Sequence, residues 1–115
     1  MNFTIYHNPR CSKSRAALEL LRRHNIAPRI VEYLRTPPDA AAIQDLLRKL
    51  GLLPRDILRD GEDEYAQLKL DEPGRTDADL IDAIVKHPIL LQRPIVVRGP
   101  RAVVARPPEK VEELL

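Results

Sequence analysis

The chain has 115 residues and a formal net charge of +2, with 19 basic and 17 acidic side chains interleaved along it. This length suits a single domain, and a composition that is 43% hydrophobic and 31% charged is typical of an ordinary soluble protein. No apolar run approaches the roughly 20 residues that span a bilayer, and no export signal is recognisable, so we expect a cytoplasmic protein without a membrane partner. The nearly balanced charge and the scarcity of aromatic residues argue against direct nucleic-acid binding.

The first predicted elements are a strand, a turn and a helix, and the only cysteine lies between the turn and the helix. Residues 2–6 are β-prone, and proline at the following Asn8-Pro9 pair stops the strand. Residues 12–25 carry apolar side chains at helical spacing. Cys11 therefore lies at or just before a helix N-terminus, where unpaired N–H groups and the helix dipole favour a thiolate over a thiol.

A second strand and a second helix are predicted next. Residues 29–34 form a β-prone run, so the first strand, the first helix and this run predict a βαβ unit with parallel strands. Thr36 is the predicted cap of the second helix, with Pro37 in its first position. Gly51 is predicted to end that helix.

The rest of the chain alternates short helical segments with turns. Residues 52–61 predict a short helix or turn, and residues 62–70 have helical character. Thr76 is predicted to cap another helix. A hairpin is expected to turn at residues 98–100, and a final helix is expected to start at Pro107.

These elements predict an α/β fold in which one domain spans residues 1–115. The helical segments between the second and third strands form a predicted insertion at about residues 37–87. No internal repeat suggests a different organisation.

The chemistry open to a single cysteine is restricted. An internal disulfide is excluded, so a redox role needs a thiol from another molecule. A Cys-x-x-Cys motif would need cysteine at Ser14, and a phosphatase-like Cys-x₅-Arg loop would need arginine at Ala17. Four side chains are of the types that bind metals, namely Cys11, His7, His24 and His87. Their spacing matches no recognisable ligand pattern, so we expect no metal site.

Three stretches of the chain resemble one protein family. Residues 7–15, with the sequence HNPRCSKSR, resemble the signature of the ArsC family, the glutaredoxin-dependent arsenate reductases, which also includes Spx regulators and YffB-like proteins. Residues 57–59 and 87–97 resemble the same family. The resemblance extends from about residue 2 to about residue 113 and implies a thioredoxin-like fold.

The resemblance also implies a reaction. The Cys11 thiolate would attack arsenate, and His7 and Ser14 would tune the pKa of the thiol. Glutathione would act as co-substrate and glutaredoxin as protein partner, so that arsenate is reduced to arsenite in a form of arsenic detoxification. No bound cofactor is implied, and we expect a monomer.

Three arginines and one proline match further family positions. By resemblance, Arg59, Arg93 and Arg106 would bind the oxyanion, a task that suits forked, permanently charged guanidinium groups. Thioredoxin-like folds place a cis-proline opposite the active cysteine, so we expect the Arg93–Pro94 bond to be cis.

Two other functions remain open at this point. The main alternative is an Spx-like regulator that binds RNA polymerase, although such regulators commonly have a second cysteine where this chain has Ser14. The chain also resembles YffB-like proteins, which implies a glutathione-dependent thiol reductase of another substrate. The three matched arginines favour arsenate, but sulfate, phosphate and small carboxylates also bind arginine.

Overall fold

The computed structural model describes residues 2–115, which form two compact units. The first unit contains the described residues up to Thr36 together with Arg93–Leu115. The second unit is Pro37–Gln92, and the predicted helical insertion at residues 37–87 falls inside it. Within residues 2–115, no helix is both long and apolar enough to cross a membrane.

The first unit is built on a four-stranded sheet with the order β2-β1-β3-β4. Strands β1 and β2 are parallel and joined by helix α1, which confirms the predicted βαβ unit, whereas β1–β3 and β3–β4 are antiparallel. The elements are β1 (Phe3–His7), α1 (Ser12–Arg23), β2 (Arg29–Glu32), β3 (Ile95–Arg98) and β4 (Arg101–Val104).

The core of the first unit lies between the sheet and α1. Leu21 of α1 and Ile5 of β1 are fully buried there, and Val111 from the end of the chain joins them. Fully burying one such aliphatic side chain contributes about 1.5–3 kcal/mol. The predicted final helix is a 3₁₀ helix, Pro108–Leu114, which docks its apolar side chains onto α1.

Strands β3 and β4 form the predicted hairpin, and its turn is two residues long. Arg98 and Arg101 pair across the hairpin, which leaves Gly99 and Pro100 at its tip. Gly99 has a φ of +58°, which glycine adopts without steric cost.

The second unit consists of short helices. They are α2 (Ala40–Leu50), a 3₁₀ helix (Pro54–Ile57), α3 (Asp63–Gln67), α4 (Asp77–Lys86) and a second 3₁₀ helix (Pro88–Leu90). Thr76 caps α4 in a capping box with Asp79, as its sequence predicted.

The start of α2 differs from the prediction. Asp39 caps this helix instead of Thr36, and its side chain accepts a hydrogen bond from the Ala42 N–H at 2.8 Å. The physical reason is that a residue before proline is excluded from helical geometry, so Pro37 cannot enter the helix ahead of Pro38. Gly51 ends the helix in the left-handed conformation, as predicted.

Candidate functional site

Cys11 occupies the N-cap position of α1. Its backbone is extended, with φ −92° and ψ 122°, and its carbonyl accepts the first helical hydrogen bond from the Arg15 N–H at 3.0 Å. The Cys11 N–H donates to the Asn8 carbonyl at 3.0 Å, which closes the turn after β1. The sulfur is therefore held at the positive end of a helix and is only partly buried.

The environment favours the ionised form of Cys11. Burial raises the pKa of the thiol, but hydrogen bonds from the backbone N–H groups of Ser14 and Lys13 oppose this effect. A hydrogen bond and the positive charge from the Arg93 guanidinium act in the same direction as these N–H groups. The net result is a pKa below the ordinary value of cysteine, because donors and positive charge stabilise the thiolate.

Two predicted arginines meet at this sulfur. Besides the contact from Arg93, the Nη2 atom of Arg106 lies 3.9 Å from the Cys11 Sγ. Arg106 also donates from Nε to the Arg93 carbonyl at 2.7 Å, which ties the segment before β3 to the segment after β4. Two guanidinium groups and a helix N-terminus thus surround one sulfur, an arrangement suited to an anion.

A cis peptide bond follows each of these arginines. The Arg93–Pro94 bond is cis, as the resemblance implied. The Arg106–Pro107 bond is also cis, which the sequence analysis did not anticipate. The Ala105 N–H donates to the Pro94 carbonyl at 2.9 Å. This hydrogen bond joins the segment that contains the first cis bond to the residues just before the second.

His7 and Ser14 form a buried pair behind the cysteine loop. The His7 Nδ1 and Ser14 Oγ atoms are 2.6 Å apart, and the Asn8 N–H donates to the same Oγ at 3.0 Å. Ser14 is fully buried and His7 is 6% exposed. The Ser14 hydroxyl therefore bridges the end of β1 and the first turn of α1, while the Ser14 backbone N–H reaches the sulfur. The tuning of the Cys11 pKa by His7 stays a prediction.

The surroundings of His7 disfavour its charged form. Burial lowers the pKa of the imidazole, the Glu32 carboxylate partly opposes this, and two arginine charges, those of Arg22 and Arg15, lower it further. In a neutral ring, Nδ1 either accepts a hydrogen bond from the Ser14 hydroxyl or donates one to it, according to the tautomer.

Acidification is expected to destabilise the protein through His7. The folded-state pKa lies below the unfolded value of about 6.5, so the unfolded chain binds more protons between these two values. The stability contributed by neutral His7 is complete above about pH 6.5 and is lost as the pH falls through the folded pKa. Urea unfolding across this window should show a steeper loss for the wild type than for His7→Asn. His24→Asn, at an exposed position, should behave as the wild type, and equal slopes for all three proteins would contradict the assignment.

Arg59 lies in the second unit, between a 3₁₀ helix and α3. Its Nε is 3.3 Å from Glu62 Oε1 and its Nη1 is 3.2 Å from Gln92 Oε1. Its N–H donates to the Leu90 carbonyl at 2.8 Å, which fixes the backbone. The role of Arg59 in oxyanion binding stays a prediction. Within residues 2–115, no three His, Cys, Asp or Glu side chains are grouped to hold a metal ion.

Two residues that sequence reasoning did not assign to the site shape its loop. Asn8 is buried, and its Oδ1 accepts a hydrogen bond from the Arg10 N–H at 3.0 Å. Arg15 donates from Nη1 to the Pro9 carbonyl at 2.9 Å. The sequence did contain an indication of the role of Asn8, because asparagine side chains in turns commonly form a hydrogen bond with the backbone of the residue two positions later.

Comparisons with known proteins agree with this architecture. The ArsC family matches residues 6–114. An arsenate reductase from Neisseria meningitidis serogroup A is 49% identical to this chain over 112 residues, and the match covers 96% of both chains. The uncharacterized protein YfgD of Escherichia coli K12 is 47% identical over 112 residues, and the match covers 96% of this chain and 94% of that protein. The solved structure of an arsenate reductase from Vibrio cholerae is 43% identical, with a TM-score of 0.98, and the match covers 100% of this chain and 98% of that one. The fold is thioredoxin-like α/β, and the chain belongs to the ArsC family.

Proposed function

We propose that this protein is an oxidoreductase that reduces arsenate to arsenite, with Cys11 as nucleophile and with glutathione and glutaredoxin as reductants. The observation that carries the proposal is the position of the Cys11 sulfur, which meets two N–H groups at the start of α1 and the guanidinium groups of Arg93 and Arg106. Relatives named arsenate reductase, at up to 49% identity over nearly the whole chain, support the choice of substrate.

The site suits a tetrahedral oxyanion for two reasons. The N–H groups of a helix N-terminus bind anions, and forked guanidinium groups donate two parallel hydrogen bonds to oxyanions. The N–H groups of Ser14 and Lys13 and the guanidinium group of Arg93 also lower the pKa of Cys11, so these groups favour both the nucleophile and an anionic substrate. A thiolate and an oxyanion repel each other, and the positive charge of Arg93 and Arg106 offsets that repulsion.

The first step forms a covalent adduct. The Cys11 sulfur attacks arsenic, a sulfur–arsenic bond forms, and one arsenic–oxygen bond breaks. The departing oxygen leaves as water after taking up a proton, and arsenic remains pentavalent. Arg93, Arg106 and, by family resemblance, Arg59 bind the remaining oxygen atoms and stabilise the negative charge that develops on them.

The second step transfers two electrons. The thiolate of glutathione attacks the Cys11 sulfur of the adduct, a disulfide forms between the two sulfurs, and the electron pair of the sulfur–arsenic bond stays on arsenic. Arsenic leaves in the trivalent state as arsenite. Glutaredoxin then reduces the mixed disulfide by thiol–disulfide exchange, and external thiols are required because Cys11 is the only cysteine.

The reductants define the setting that we assign to the protein. Glutathione and glutaredoxin are maintained in reduced form in the cytosol, so we assign the reaction to the cytoplasm. All electrons come from thiols, and the scheme therefore uses no bound cofactor. We propose that the protein acts as a monomer.

The experiment that tests this function is a coupled assay with arsenate, glutathione, glutaredoxin, glutathione reductase and NADPH. We expect NADPH oxidation that depends on arsenate, with arsenite as the product separated and measured by chromatography. Omitting glutathione or glutaredoxin should remove the activity. No oxidation above the arsenate-free rate would overturn the proposal, and an inactive protein that binds purified RNA polymerase would support an Spx-like regulator instead.

A further inference from the structure

A cleft of about 460 Å³ lies beside the cysteine loop, within the first unit. It opens at the carboxyl ends of the parallel strands β1 and β2, where His7 and Glu32 are register partners. Residues 8–10 form one wall, and Leu34 and Arg35 contribute to the other. Its volume is within the range of about 300–1,000 Å³ that small-molecule sites occupy.

The cleft is formed at one edge of the sheet. Strand β1 has β2 on one side and β3 on the other, and the carboxyl ends of β1 and β2 lie at the same edge because these two strands are parallel. The cleft is lined by residues that follow these two strands, whereas Arg93 precedes β3. Cys11 follows the loop that forms one wall of the cleft.

The wall next to Cys11 is held by hydrogen bonds. The Asn8 side chain accepts from the Arg10 N–H, the Asn8 carbonyl accepts from the Cys11 N–H, and Arg15 donates to the Pro9 carbonyl. A ligand bound against this wall would be positioned relative to the sulfur, because the same bonds fix the backbone of Cys11.

The cleft combines two positive groups, one negative group and an apolar surface. Arg10 and Arg35 are exposed, and within residues 2–115 no ion pair engages either of them. Glu32 is half-buried, and its carboxylate acts on the charge of His7. Leu34 is 41% exposed and adds apolar surface to the lining of the cleft.

We propose that this cleft binds the glutathionyl group that reacts with Cys11. Glutathione is a tripeptide with two carboxylates and one ammonium group, which matches the two guanidinium groups of Arg10 and Arg35 and the carboxylate of Glu32. Carboxylates pair with guanidinium groups in a forked geometry. The inference rests on the proposed function in one respect, namely that a second thiol must reach the Cys11 sulfur from a side that the oxyanion leaves open.

The test uses a reaction that does not involve arsenate. The Cys11 thiolate attacks one sulfur of glutathione disulfide, a mixed disulfide forms, and one glutathione thiolate leaves, so that atoms and electrons balance. The rate of this reaction is followed by mass spectrometry in the wild type, in Arg35→Glu and in the matched control Arg29→Glu. Arg29 is exposed at the start of β2, whereas Arg35 lies in the turn that follows the end of this strand. Both variants replace an exposed arginine by glutamate, so they change the net charge equally.

We expect Arg35→Glu to react with glutathione disulfide about twofold to fivefold more slowly than Arg29→Glu, the size of effect that an exposed charge pair produces. Alkylation by neutral iodoacetamide should proceed equally in both variants, which shows that the thiolate itself is unchanged. In Arg35→Glu, alkylation by the small anion iodoacetate should slow less than the reaction with glutathione disulfide.

Equal rates with glutathione disulfide in the two variants would overturn the proposal. An equal slowing of the iodoacetate and glutathione disulfide reactions in Arg35→Glu would also overturn it, because it would indicate a general field effect. If Arg35→Glu slows only the reaction with glutathione disulfide but the wild type does not reduce arsenate, the assignment of the cleft is supported and the proposed arsenate reduction is contradicted.

Discussion

Replacing Cys11 by serine is expected to lower arsenate reduction by about 10⁴-fold or more, which leaves no activity above background. A hydroxyl is protonated at neutral pH, and the N–H groups and arginines that make a thiolate available cannot ionise it. A serine at this position also cannot form the mixed disulfide through which the electrons pass. The measurement is the rate of arsenite formation in the complete coupled system.

A matched control separates loss of chemistry from loss of structure. Ser12 lies next to Cys11 and is exposed, so Ser12→Ala should retain arsenate reduction within about twofold of the wild type, as most surface substitutions do. Cys11→Ser should still bind arsenate, which calorimetry can detect, because Arg93 and Arg106 remain. A Cys11→Ser protein that keeps more than about one tenth of the activity would contradict the assigned nucleophile.

Replacing Arg93 by alanine is expected to lower kcat/KM for arsenate by about 10²–10³-fold, the loss that follows removal of one donor to a developing oxyanion. The Arg93 side chain has a second effect, because it also lowers the pKa of Cys11 by a hydrogen bond and by its charge. The pKa of the Cys11 thiol should therefore rise in the same variant. Steady-state kinetics and the pH dependence of Cys11 alkylation measure the two effects separately.

Two further variants make this prediction specific. Arg93→Lys keeps the charge but loses the forked donor geometry, so it should recover the thiol pKa better than the arsenate rate. Arg23→Ala removes an arginine whose ion pair with Glu19 is solvent-exposed, and it should resemble the wild type. If Arg93→Ala and Arg23→Ala have the same kcat/KM, Arg93 does not bind the substrate.

Much of the first unit could be predicted from local sequence. The stop at Asn8-Pro9 and the apolar spacing of residues 12–25 correctly located Cys11 at a helix N-terminus. Gly99 located the β3–β4 hairpin because few other residues adopt its φ readily. Each of these signals acts over a few residues, which is the range in which sequence patterns are reliable.

Other features depend on contacts that sequence does not display. The bond from Arg106 to the Arg93 carbonyl joins residues 13 positions apart, and its contact with Cys11 spans 95 positions. Family resemblance, and not periodicity, pointed to these arginines. The role of Asp39 as cap was missed because Thr36 is also a common N-cap residue, although aspartate is the better cap and the steric effect of consecutive prolines also favours the later start.

The most direct test of the account is the ionisation of Cys11 itself. The ultraviolet absorbance of the thiolate, measured against pH with Cys11→Ser as the blank, gives the pKa of this one sulfur. We expect a pKa below that of the same cysteine in the urea-unfolded protein, because N–H groups and Arg93 outweigh the effect of burial. A pKa at or above that value would contradict the claim that this site holds a thiolate ready to attack an oxyanion.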